Sequence, residues 1–129
     1  MKKITLMLFA IFLFSVAWTK KPDKKIIGTW SMYKVYEYDK DVTEKHNPNN
    51  NHWIEFKADG TFVSDGDPFG RNTGRWKTDN KKSVLIIDSD TDNDDSEWNV
   101  TFEGNKMIWT GIGHPRKENT KLVHVKKED

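Results

Sequence analysis

The sequence predicts an all-β protein: an eight-stranded antiparallel up-and-down β-barrel that follows a cleaved export signal. Three observations carry the prediction. The 129 residues suit one ordinary domain. Residues 1–17 hold 13 apolar residues and residues 18–129 only 32, of which 13 are Trp, Tyr or Phe, with a single Ala (Ala58) and two Leu (Leu85, Leu122). A helical domain draws heavily on Ala and Leu, so a helix bundle is excluded. Finally, apolar and polar residues alternate with period two through nearly all of the remaining chain.

The N-terminal segment is an export signal by pattern. Lys2-Lys3 is a short basic region, Ile4 to Val16 is an apolar run broken only by Thr5 and Ser15, and Ser15-Val16-Ala17 places small residues at a signal-peptidase site. The run falls short of the roughly 20 apolar residues that span a bilayer, and Lys20, Lys21, Asp23, Lys24 and Lys25 follow at once. Residues 1–17 are therefore assigned to a signal peptide, 18–25 to a polar leader and 26–129 to the barrel domain. The expected destination is secreted or periplasmic, with no stable membrane anchor. The chain has no cysteine, which excludes a cysteine-linked lipid anchor and leaves the core to hold the fold without disulfides.

Eight strands are expected, at 26–38, 52–57, 61–65, 73–78, 83–88, 96–102, 107–112 and 120–126. Pro22, Pro48, Pro68 and Pro115 all lie in the leader or in connections, because proline cannot donate to a ladder. The sequence allows a short helical turn within 39–51 but supports it only weakly, because the run Asn47 to Asn51 with Pro48 inside it disfavours helix. The hairpin at 56–62 is legible in detail. Asp59-Gly60 lies between Phe56 and Phe62, and a three-residue loop with Gly60 left-handed pairs Lys57 with Thr61 and sets the two aromatics on one face. A two-residue loop would separate them, so burial selects the longer one. The inward faces of 83–88 and 107–112 stay open.

Connection lengths give the topology. The links at 58–60, 79–82 and 103–106 are short, those at 39–51, 66–72, 89–95 and 113–119 are long, and the two kinds alternate strictly. In an up-and-down meander, alternate connections lie at opposite ends. All the long loops therefore gather at one end, which describes a barrel with a mouth. Closure also removes the edges that an open sheet would expose.

The set Ile27-Gly28-Thr29-Trp30, Phe56 with Asp59-Gly60-Thr61-Phe62, and Thr73-Gly74-Arg75-Trp76-Lys77 resembles the small secreted lipocalin-like proteins of Bacteroidetes-type bacteria, within the calycin group. The likeness covers residues 26–126. The resemblance implies a cup that binds small, mainly apolar molecules. It also implies that Trp30 closes the barrel floor, with Lys126 or Lys127 as the cation packed across it, where the family usually has Arg.

Charge gives no footprint for nucleic acid, since 19 basic residues face 20 acidic ones once Lys2 and Lys3 are removed. Aromatics are the main candidates for binding. Tyr36, Tyr38, Trp53, Trp98 and Trp109 lie toward the mouth and are the candidate ligand-binding residues, together with Phe69 in a mouth loop. Phe56, Phe62, Trp76 and Phe102 lie nearer the tight turns and are assigned to the floor. A barrel of this size can equally be filled by its own side chains. The alternative function is then an interaction module whose mouth loops bind a protein or a glycan.

The acidic segment 88–97 supplies candidate metal ligands. Asp88, Asp90 and Asp92 match the first three positions of a Ca²⁺ loop, but the twelfth position is Asn99 rather than Glu. Ca²⁺ is the only cofactor these residues suggest, against the simpler reading of a solvated acidic loop. His46, His52 and His114 fall at or near the mouth and His124 on the last strand. Without ligand spacing they are expected as scattered surface histidines. No nucleophile elbow or phosphate loop occurs, so the expectation is a binding protein for a small hydrophobic ligand and not an enzyme.

Overall fold

A computed structural model of the protein describes residues 23–91 and 95–128. The segment assigned to the signal peptide and most of the polar leader lie outside the described residues, as do residues 92–94. The strands are β1 (Gly28–Glu37), β2 (Lys40–Asp41), β3 (Trp53–Phe56), β4 (Thr61–Asp65), β5 (Asn72–Thr78), β6 (Val84–Ser89), β7 (Ser96–Glu103), β8 (Lys106–Gly111) and β9 (Thr120–Lys126). Two single-turn helices, α1 (Thr43–His46) and α2 (Pro115–Glu118), lie in the long connections. All eight expected strands are present, with ends within two residues of the expected ones. Strand β2 is a small addition beside β1; α1 is the short turn that the sequence allowed within 39–51, and α2 forms where it suggested only loop.

Strands β1 and β3 to β9 pair antiparallel in chain order, and β9 pairs back onto β1, closing an eight-stranded barrel. The long connections gather at one end and the tight turns at the other. The hairpin register is the one that burial demands: Phe56 faces Phe62, the Lys57 amide donates to the Thr61 carbonyl at 2.9 Å, and Gly60 has φ +88. Asp59 accepts from the Thr61 amide and hydroxyl, and these bonds hold its carboxyl below the ordinary value.

One irregularity resets the whole of β1. Trp30 pairs with Lys126 and Met32 with His124, but Lys34 then pairs with Val123, leaving Tyr33 as the extra residue of a bulge. Trp30 and Met32 point inward before it, and Val35, fully buried, points inward after it. Strand β1 also parts from β3 above Ser31. The 38–51 segment fills that gap. Asn47, buried in it, donates through Nδ2 to the Met32 carbonyl at 3.0 Å and accepts from the Asn51 and His52 amides, each at 3.1 Å. The Thr43 hydroxyl accepts from the Val35 amide at 2.9 Å.

The lower half of the barrel is filled. Ile26, Trp30, Ile54, Phe56, Phe62, Trp76, Leu85, Val100, Met107 and Trp109 form one buried cluster. Leu85 and Ile87 on β6, and Met107 and Trp109 on β8, supply the inward faces that the sequence left open. At the floor, Lys126 Nζ sits 4.8 Å above the Trp30 ring and donates to the Ile27 carbonyl at 2.6 Å. Trp30 Nε1 donates to the Ile26 carbonyl at 2.9 Å. Gly28 stands against this ammonium with φ +130; a side chain at that position would collide with Lys126 Nζ. Among the described residues no helix is long and apolar enough to cross a membrane.

Candidate functional site

Above the filled half the barrel opens. A cavity of about 320 Å³ lies beneath the long loops, at the lower end of the range for small-molecule sites. Its aromatic wall is Phe62, Trp98 and Trp109, its aliphatic wall is Ile54 and Ile87, and Phe69 stands at the rim. Ser64, Ser96 and Asn72 add polar edges, and Arg71 is the one lining residue with a permanent charge. Strand alternation explains the set. Each barrel strand offers every second side chain to the interior, and those nearest the mouth are left without a neighbour across the barrel.

The walls are held by ring contacts and a few side-chain bonds. Trp98 and Trp109 have centroids 5.6 Å apart, and Trp109 continues downward to Phe56 at 6.0 Å. Trp98 Nε1 donates to Ser96 Oγ at 2.9 Å, which fixes its ring on the wall. Phe69 is 61% exposed, yet its ring packs face-on to His46 at 6.4 Å and edge-on to His52 at 5.8 Å. His46 in turn meets Glu37 Oε1 at 3.0 Å. Thus the mouth loop at 66–70 leans on the loop at 38–52.

Of the aromatics singled out from sequence, Trp98, Trp109 and Phe69 come together around the cavity. Tyr36, Tyr38 and Trp53 do not line it. Trp53 falls on the face opposite the buried Ile54. Strict alternation from Trp30 would carry Tyr36 inside, but the bulge at Tyr33 shifts the parity so that Val35 takes the inner position. Tyr38 sits in a turn with φ +49 and is 56% exposed. Among the acidic candidates, Asp88 projects outward on β6 opposite Arg75. Asp90 accepts from the Thr73 hydroxyl at 2.7 Å, and Asp92 lies outside the described residues. Among the described residues no three His, Cys, Asp or Glu side chains are placed to hold a metal ion.

The histidines depart most from expectation. His114 is exposed, but His124 is 1% exposed inside the barrel, its ring tilted against Trp109 at 4.3 Å between centroids. His52 lines the cavity. Burial, reinforced by the neighbouring His52 and opposed by a backbone hydrogen bond at Met107, pushes His124 down to about 3. Burial likewise lowers His52, against the pull of Asp65. Both rings are therefore neutral near pH 7. The run Leu122-Val123-His124-Val125 is apolar on both parities, so alternation alone gave no signal for the inward histidine.

The chain matches no known family model and no curated protein. Among solved structures it is similar to a DUF4847 family protein from Bacteroides vulgatus, with a TM-score of 0.55 and 18% identity over 80% of this chain and 96% of that chain. Likeness at that identity is a likeness of fold: a closed antiparallel β-barrel.

Proposed function

We propose that the protein is an exported, lipocalin-like binding protein that holds a small, mainly apolar ligand in the upper half of its barrel. The observation that carries this reading is the cavity of about 320 Å³ under the long loops, walled by Phe62, Trp98 and Trp109 and roofed at one side by Phe69. The apolar part of this concave lining favours an apolar guest by removing its surface from water, while His52, Ser64, Arg71, Asn72, Thr91 and Ser96 give the cavity a comparable polar share. Two features support the lipocalin-like part of the reading: the Trp30–Lys126 pair across the floor, and the segregation of long loops to one end. The basic, apolar and small-residue order of residues 1–17 supports export.

The test is uptake of N-phenyl-1-naphthylamine, an uncharged apolar dye whose emission rises on leaving water. Saturable uptake at one dye per chain is expected. Trp98→Ala should weaken it about tenfold, the effect of losing roughly 1.4 kcal/mol of contact. Trp53→Ala, on the outer face, should leave it within about twofold. A folded wild-type protein that produces no rise in emission would overturn the reading.

A further inference from the structure

The inward indoles are not all treated alike. Trp30 Nε1 donates to the Ile26 carbonyl at 2.9 Å, Trp76 Nε1 to the Lys57 carbonyl at 3.0 Å, and Trp98 Nε1 to Ser96 Oγ at 2.9 Å. Trp109 is only 4% exposed, and its buried Nε1 has no hydrogen-bond partner among the described residues. Two further buried nitrogens share that condition, His124 Nδ1 and His52 Nδ1. The three are neighbours in the barrel wall. Met32 on β1 pairs with His124 on one side and donates its amide to the His52 carbonyl at 3.0 Å on the other. The His124 ring lies 4.3 Å from that of Trp109.

A buried polar group without a partner costs about 1–3 kcal/mol, and native proteins leave few of them. Three in one patch, where Phe or Leu would pack without that cost, mark a place that something else completes. His52 and Trp109 line the cavity, so the patch borders the space assigned to the ligand. We propose, resting on the ligand reading above, that Trp109 and His52, with His124 packed behind Trp109, form a hydrogen-bonding subsite at the inner wall of the cup. It takes an uncharged acceptor, a ketone, ester or amide carbonyl, carried by an otherwise apolar ring-containing molecule. The indole N–H can only donate, so its partner must accept. A neutral imidazole can donate to the same oxygen only through its N–H, in the tautomer that carries the proton on Nδ1. A carboxylate would lose its hydration here to neutral donors alone, since Arg71 stands at the exposed rim.

The experiment is calorimetric titration of the full chain with 2-acetylnaphthalene and with 2-isopropenylnaphthalene, which share a planar shape and differ in the carbonyl oxygen. The ketone is expected to bind about tenfold more tightly, and Trp109→Phe, which keeps a ring and removes the N–H, should lower that ratio severalfold. Equal or tighter binding of the hydrocarbon by the wild type would overturn the subsite and leave the ligand reading standing. An unchanged ratio in Trp109→Phe would also overturn it. Binding of neither compound would overturn both. The infrared carbonyl stretch of the bound ketone needs no variant. A shift to lower frequency than in hydrocarbon solvent is expected, and a stretch at the hydrocarbon position would overturn the proposal.

Discussion

His124 shows how one residue couples packing to solution conditions. Its folded value of about 3 lies below the ordinary 6.5 because the ring is buried beside Trp109 and near His52. The unfolded chain takes up this proton as pH falls through 6.5, while the folded protein refuses it until about 3. Stability attributable to this group is complete above 6.5 and is lost across that window, by up to roughly 4–5 kcal/mol. His52 adds a loss of the same sign. His124→Phe should therefore flatten the fall of Tm between about pH 6 and pH 4 in a thermal melt series; a slope identical to wild type would contradict the assignment. Gly28 is the other position where one side chain decides much. With φ +130 and Lys126 Nζ against it, Gly28→Ala should cost about 1–3 kcal/mol in urea unfolding. The Gly28-Thr29-Trp30 signal was legible, and the resemblance it carries implied Lys126 or Lys127 as the cation; the structure sets Lys126 over the ring. The inward histidine was not, because its neighbours on both sides are apolar.

At the scale of elements, the bulge at Tyr33 and the 38–51 segment matter most. Where β1 and β3 separate above Ser31, Asn47 stitches the loop to the barrel by three hydrogen bonds. Asn47→Ala would leave the Met32 carbonyl and two amides to find other partners. The expected cost is about 2 kcal/mol or more in stability, with faster hydrogen exchange at the Asn51 and His52 amides measured by NMR. Because His52 lies on this loop and Phe69 leans on it, the same variant should weaken dye uptake. The hairpin at 56–62 needed only local rules, whereas the gap-filling segment carries no periodic pattern. Its Asn-rich stretch reads as loop, and Asn47 becomes a structural residue only because β1 and β3 part beside it.

At the scale of the whole molecule, closure depends on pairing between the two ends of the domain, with Trp30 opposite Lys126 and Glu37 opposite Thr120. Strand β9 also completes β8. A chain ending at Asn119 would expose two unpaired edges and open the interior to water. It should lose the cooperative transition in near-ultraviolet circular dichroism that the full chain shows on heating; a cooperative melt in the truncated chain would contradict this account of closure. The barrel is filled below and hollow above. That division follows from geometry: at the floor, Trp30, Phe56 and Trp76 belong to one buried cluster, while toward the mouth β1 parts from β3 above Ser31.

The sequence by itself determined the class of the fold. Period-two alternation, prolines confined to connections, and loops that alternate short and long are local properties, and local rules of backbone geometry suffice to read them. The tertiary structure alone decided which side chains meet in the cup. One extra residue at Tyr33 reverses the parity of β1 and moves Tyr36 out and Val35 in. Pairing between segments some ninety residues apart brings His124 beside Met32 and, through it, near His52. Those contacts depend on long-range register, which no single stretch of chain encodes, and they set His124 against Trp109 in the wall that His52 also lines.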